Sequence, residues 1–207
     1  MILNNIHFHT QDIWKFNGGK VAKDLDDAVD KYYKLDNFYI GIPCKDCDKK
    51  MYDYYNNRFS KNKSRVTYGN LFQNKNWDTF INFIKQHKIP FYYIGPGKHA
   101  NIELNVIDRF FIDEFLIESW DQQRDIILRN LINWVKSKPT NSLFFFSAGP
   151  LTKIFVPLLL ETESNNSYID CGSALDLFLK GSTNRPYILD KNSIYAKMIC
   201  DFDRGHQ

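Results

Sequence analysis

The order of elements in the last third of this 207-residue chain constrains its fold more than any other feature. Ser142–Phe146 (SLFFF) is a continuous apolar run, the kind of strand that parallel sheets bury on both faces. Ser147-Ala148-Gly149-Pro150 follows as a small-residue turn, and Pro150 suits the first position of a helix reaching about Glu161. Ser167–Asp170 (SYID) reads as the next strand, and Cys171-Gly172-Ser173 leads into a helix over Ala174–Leu179. Strand, turn, helix and strand make a βαβ unit. Such crossovers are almost always right-handed, and their ligands lie at the carboxyl ends of the strands. The expected fold class is α/β: a Rossmann-like, mostly parallel sheet flanked by helices, in a single domain over 1–207.

The earlier chain supplies compatible pieces. The segment 1–23 is the least patterned and carries a turn signal at Asn17-Gly18-Gly19. Asp24–Leu35 has Leu25, Ala28, Val29 and Tyr32 at helical spacing, with aspartates crowding its expected first turn. Asn37–Ile42 and Pro90–Gly95 read as strands, the second ending in the loop Gly95-Pro96-Gly97. Leu104–Phe111 is a further strand candidate, and Arg65–Phe72 is a strand or a strand end entering a loop. Helical patterns cover Lys49–Asn57 and Trp77–His87. Another starts at Ser119, where Ser119-Trp120-Asp121-Gln122 fits a capping box, and stops at Lys138-Pro139.

Composition removes several classes. Seventeen Phe, twelve Tyr and four Trp supply too much apolar surface for a disordered chain. The longest apolar runs are far too short to span a bilayer, and no secretory leader pattern is visible. A net charge of +3 is too mild to argue for nucleic acid or an anionic membrane as partner. Four scattered Cys make no disulfide scaffold, so a reducing, cytoplasmic setting is expected.

Each chemical candidate has an ordinary rival. Ser147, Ala148 and Gly149 lie between a strand and a helix start, where free N–H groups and the helix dipole favour a phosphate. The same small residues serve a tight turn. Asp170, followed by Gly172, Ser173 and Asp176, is placed to accept from a sugar or ribose hydroxyl or to act as a base, or to cap the helix behind it. Cys44-Lys45-Asp46-Cys47 is half a zinc site without a second half, so no zinc is expected. His7-Phe8-His9 lacks the downstream ligands of a metal hydrolase. The pairs in Asp24-Leu25-Asp26-Asp27 and Asp46-Cys47-Asp48 are better explained by helix starts than by a cation. Tyr68 and Asn70 do not fall at core spacing.

FYIGIPCKDC (38–47), VTYGNLF (66–72), LFFFSAGPLTKI (143–154) and YIDCGSALD (168–176) together, in this order, resemble the GT-D-type glycosyltransferase domain of bacterial and viral surface-glycan clusters. The resemblance covers roughly 38–187. It implies transfer of a sugar from a nucleoside-diphosphate sugar to a glycan or lipid-linked acceptor. Tyr68 and Asn70 would line the donor pocket, with phosphates at Ser147–Gly149 and sugar hydroxyls at Asp170, Gly172 and Ser173. Asp170 or Asp176 would be the base, and Lys153 or Arg185 would neutralise the leaving diphosphate. The family opens with an R-[FY]-G-D-G-E segment at its diphosphate and metal, Mn²⁺ or Mg²⁺. Here that region reads HFHTQDIWKF, and Asp12 is either what remains of the motif or the motif is lost. Two rivals follow: a binding module that keeps the fold without catalysis, and, ranked last, an S-adenosylmethionine-dependent methyltransferase.

Overall fold

The computed structural model describes residues 19–31, 34–46, 48–69, 71–99 and 103–198. Asp12, Asn70, Cys47 and the His7/His9 pair lie outside them. Six strands and eight helices occur among the described residues: α1 (Gly19–Asp30), β1 (Ile40–Ile42), α2 (Lys49–Arg58), β2 (Val66–Tyr68), α3 (Asn76–Gln86), β3 (Phe91–Gly95), β4 (Val106–Phe111), α4 (Trp120–Lys136), β5 (Leu143–Phe146), α5 (Thr152–Thr162), β6 (Ser167–Asp170) and the short helices α6 (Asp176–Leu179), α7 (Pro186–Leu189) and α8 (Ile194–Lys197).

Four strands form one parallel sheet in the order β4-β3-β5-β6. Side chains alternate across a strand, so β3 and β5 must feed two cores. Tyr92, Ile94, Phe144 and Phe146 face one, packed with α1, α4 and α5 through Val21, Leu25, Leu131 and Phe155. Phe91, Tyr93 and Phe145 face the other, with Trp77, Ile81 and Ile84 of α3 and with Ala174, Leu175 and Leu179. The pairing Tyr92↔Phe144, Tyr93↔Phe145, Ile94↔Phe146 keeps like faces together. The chain is therefore α/β, with a Rossmann-like parallel sheet flanked by helices. A second, two-stranded parallel sheet pairs β1 with β2, and Ile42, Cys44, Phe59 and Tyr68 form its own small cluster.

Two expected boundaries shift. The first helix begins at Gly19, not Asp24, because Val21 and Ala22 already belong to the buried stripe with Leu25 and Ala28. Its aspartates therefore sit past the first turn, and Asp24 accepts from Trp120 Nε1 (2.8 Å) and Arg124 Nε (2.6 Å). The first turn is met instead by Asp121, whose carboxylate accepts from Lys20 N at 3.1 Å. The capping box at Ser119 does not form. A 3₁₀ turn over Leu116–Ser119 precedes α4, and Ser119 Oγ donates back to the Leu116 carbonyl while Gln123 donates to that Oγ. Asp48, by contrast, caps α2 by accepting from Met51 N at 3.0 Å.

The chain leaves β3 towards β4 on one side, returns through α4 to β5 on the other, and continues outward to β6. The connections after β3 and β5 thus depart in opposite directions, which makes the carboxyl ends of these two strands the sheet's switch point. Gly95-Pro96-Gly97 packs there directly on backbone. A Cβ at Gly97 would lie 2.5 Å from the Leu179 carbonyl oxygen, which also accepts from His99 N at 2.8 Å. Neither backbone can yield cheaply. Gly97→Ala is expected to cost about 1–3 kcal/mol, the usual range for overpacking. A lowered urea midpoint with an unchanged denaturant slope would register it, and an unchanged midpoint would contradict this packing.

Candidate functional site

The switch point gathers side chains from three connections. Ser147 follows β5 and is held by its N–H, which donates to the Ile94 carbonyl at 2.8 Å. Its Oγ donates to Asp176 Oδ1 at 2.8 Å, across 29 residues of sequence. Asp176 opens α6 and is half-buried. Burial pushes its carboxyl above the ordinary value, and the Ser147 hydroxyl, Lys180 and Arg185 only partly offset that. Ser173, buried in the turn before α6, accepts from Arg185 Nε at 2.5 Å. Ser147, Ser173, Asp176 and Arg185, all singled out from the sequence, thus meet in one place.

Asp170 sits at the end of β6 in a different arrangement. One carboxylate oxygen pairs with Lys153 Nζ from α5, and the other accepts from Gly172 N at 3.0 Å. Gly172 adopts φ +52°, which lets the chain turn back under the carboxylate. The Asp170–Lys153 pair is exposed enough for a ligand to reach both charges, with side-chain exposures of 28% and 58%. Asp170 is therefore not a cap for α6. It organises the turn before it and carries its own cation.

The Ser147–Pro150 turn differs from a bare row of amides. Ala148 N donates to Thr152 Oγ1 at 3.2 Å, and a 3₁₀ turn over Gly149–Leu151 precedes α5. Gly149 has φ +56°, so its lack of a side chain is required by the backbone itself. The tight-turn role that the sequence also allows for Gly149 thus has a backbone reason.

Tyr68 is a core residue of the small β1–β2 cluster, packed with Ile42, Cys44 and Phe59. The loop after it does approach the site: a Cβ on Gly172 would lie 3.1 Å from Gln73 Nε2. Gln73 was not singled out from sequence. Nor were Tyr93, Lys180 and Glu114, whose roles come from pairings such as Lys180 Nζ donating to Glu114 at 2.6 Å. Strand aromatics read as core in any sequence, and ion pairs 66 residues apart leave no local signal.

No group of three or more His, Cys, Asp or Glu residues suited to a metal occurs among the described residues. Cys44 is buried in the small cluster and forms no disulfide. Two concavities of about 300 and 160 Å³ are lined by α1 and α4, the second also by Ile154 and Leu158 of α5, and both include the Asp24–Arg124 ion pair. Burial works to raise the Asp24 carboxyl, but its bonds to Arg124 and Trp120 overcome this and hold it below the ordinary value. That charge is fully engaged in joining α1 to α4. Among the described residues no helix is long and apolar enough to cross a membrane. No family model, curated protein or solved structure matches the chain.

The raised Asp176 carboxyl has a consequence for stability. The folded state holds its proton more tightly than the unfolded chain does, so stability falls as pH climbs from the unfolded value through the folded one. Asp176→Asn keeps an acceptor for Ser147 and removes the titration. Its midpoint relative to the native protein is expected to improve steadily from pH 4 towards neutrality. A difference that stays flat with pH would show that the carboxyl is not held in its protonated form by burial.

Proposed function

We propose that this chain is a glycosyltransferase that moves a sugar from a nucleoside-diphosphate sugar to a glycan or lipid-linked acceptor in the cytoplasm. The observation that carries the reading is the site's composition at the switch point. A half-buried carboxyl of raised affinity for protons stands beside the Ser147–Gly149 turn, and a lysine-paired carboxylate ends the adjacent strand. The GT-D resemblance of the same stretches supplies the reaction class.

In this reading the diphosphate rests against the turn at Ser147–Gly149: the Ser147 and Ala148 amides are engaged by the Ile94 carbonyl and Thr152 Oγ1 and Pro150 has none, so the Gly149 amide at the head of the 3₁₀ turn is the one to meet it. Asp170, fixed by Lys153 and Gly172 N, accepts from sugar hydroxyls. Asp176 takes the proton from the acceptor hydroxyl, and its raised proton affinity brings it closer to working pH than an exposed carboxylate. The acceptor oxygen then bonds to the anomeric carbon as the bond from that carbon to the phosphate oxygen breaks. The departing electron pair stays on the diphosphate, where Lys153 and Arg185 offset the charge. Among the described residues Asp170 and Asp176 are already engaged with Lys153 and Ser147, so no step is routed through Mn²⁺ or Mg²⁺.

The second reading, a nucleotide-sugar-binding module without transfer, is favoured by one observation: Asp170 is already charge-paired by Lys153. The two readings part in experiment. A thermal-shift screen of nucleotide sugars, with and without Mn²⁺, is expected to raise the native midpoint. Asp176→Asn should then lower transfer by roughly two to four orders of magnitude, the usual worth of a positioned base, while donor binding stays near native. Binding without turnover in the native protein would select the module, and no stabilisation by any nucleotide sugar would remove the donor site altogether.

A further inference from the structure

The turn after β6 opens onto space that a single side chain borders. Gly172 N donates to the Asp170 carboxylate, and the left-handed φ of this glycine turns the chain beneath it. A Cβ built on Gly172 would meet Gln73 Nε2 at 3.1 Å, and no other atom of the described residues, its chain neighbours aside, comes within 4 Å. Gln73 comes from the loop between β2 and α3 and is partly exposed. Asp170 and its partner Lys153 are also within reach of solvent. The result is an open notch with Gly172 as its floor, the Asp170 carboxylate at one border and the Gln73 amide at another.

The backbone at Gln73 is held on every side. Asn76 N donates to the Gln73 carbonyl and Trp77 N to the Asn74 carbonyl, each at 3.1 Å, and Lys75 N donates to the Met198 carbonyl at 3.2 Å. Asn74 takes φ +55°, the left-handed region that asparagine enters more readily than most residues. The side-chain amide of Gln73, by contrast, makes no hydrogen bond among the described residues. A fixed backbone thus presents an uncommitted donor and acceptor over the notch.

We propose that this notch takes the nucleoside end of the donor, with the ribose hydroxyls on Asp170 and the edge of the nucleobase on the Gln73 amide. The inference rests on the donor-site reading above and deepens it by giving the donor a direction. In a nucleotide-binding βαβ unit the phosphates lie at the turn after one strand, and a carboxylate ending the next strand takes the ribose. The corresponding positions here are the Ser147–Gly149 turn after β5 and Asp170 at the end of β6. Gly172 N and Lys153 occupy one site on each Asp170 oxygen, and a second lone pair on each remains for the two ribose hydroxyls. The nucleobase is then the next group along, above the turn at Gly172, and the transferred sugar is left on the side of Asp176. A side-chain amide carries a donor beside an acceptor, which matches the paired groups on a nucleobase edge, whereas phosphate oxygens only accept. Gln73 is therefore a specificity-determining residue for the nucleobase.

Gln73→Ala tests this, with UDP, GDP, CDP, ADP and inorganic pyrophosphate as probes in titration calorimetry of the full chain. The native protein is expected to bind one of the four nucleotides in preference to the others and all of them more tightly than pyrophosphate. The variant should bind the preferred nucleotide roughly three- to tenfold more weakly, the worth of one or two hydrogen bonds. The spread among the four should narrow, pyrophosphate affinity should stay native, and the unliganded melting midpoint should not move, since the amide has no partner to lose. Native affinities for all four nucleotides in Gln73→Ala would overturn the assignment and leave the donor site standing. An equal loss for nucleotides and pyrophosphate would overturn it as well, and so would a midpoint lower by several degrees, because Gln73 would then act on the phosphates or on the fold. Nucleotides bound no better than pyrophosphate by the native protein would remove the nucleoside subsite alone. Failure of the native protein to bind any of the five probes would sink this assignment and the donor site together.

Discussion

Everything in this molecule depends on two strands that have no solvent face. In β3 and β5 the alternation of a strand meets aromatic or large aliphatic side chains at nearly every position, and Phe91, Tyr93, Ile94, Phe144 and Phe146 are fully enclosed. A strand of that kind cannot sit at an edge or under one layer of helices. It needs cover on both faces, and the parallel arrangement provides it by sending α4 and α5 back across the sheet on one side while α3 and the 171–189 segment close the other. The ring contacts follow the register: Tyr92 stacks on Phe144 at 5.0 Å, and Phe91 meets Phe145 edge-on at 4.9 Å.

The same constraint places the site. Because β3 turns outward one way and β5 the other, their carboxyl ends cannot be roofed by a single crossover helix. The roof is built instead from pieces: the glycine loop 95–97, the turn 147–150 and the short helix α6. Pieces of that size cannot bring enough apolar surface to seal themselves, and polar links do part of the work. Ser147 to Asp176, Arg185 to Ser173, Lys180 to Glu114 and Trp77 Nε1 to the Ala174 carbonyl at 2.7 Å are such links. Polar groups therefore collect where the fold is least able to bury hydrocarbon, and chemistry becomes available there.

The legible part of the chain was the part governed by short-range rules. SLFFF, the proline after SAG and the terminal aspartate of SYID place β5, the turn, α5 and β6 because run length, helix-start chemistry and strand ends are local properties. What stayed illegible was set by partners distant in sequence. Asp24 looked like a helix-terminal charge because Arg124, a hundred residues on, is invisible from it. Ser119 looked like a cap because the 3₁₀ turn that diverts its hydroxyl follows from packing of Leu116 and Ile117 rather than from their propensity. Tyr68 looked like a loop residue because its strand is three residues long and gains its identity only by pairing with β1. Asp176 was named as a candidate without its distinguishing property, since burial is not a property of an aspartate but of what covers it.

That difference between the two carboxylates is the last step in reading the site. Asp170 and Asp176 are six residues apart, yet one ends a strand in a charge pair and the other enters a helix against a hydroxyl. The lysine gives Asp170 a charged partner, whereas the serine offers Asp176 a single neutral donor against the cost of leaving water, and burial raises that carboxyl above its ordinary value. Two carboxyls in such different surroundings can take different parts in one site. Here the division is produced by the topology: β6 is an edge strand, open to α5 and its Lys153, while α6 is folded inward over the switch point, where Tyr93 and Ser147 are already enclosed. The position of each carboxyl in the sheet order, rather than any feature of the residues around it in sequence, decides which meets a lysine at the edge and which is drawn inward against a hydroxyl.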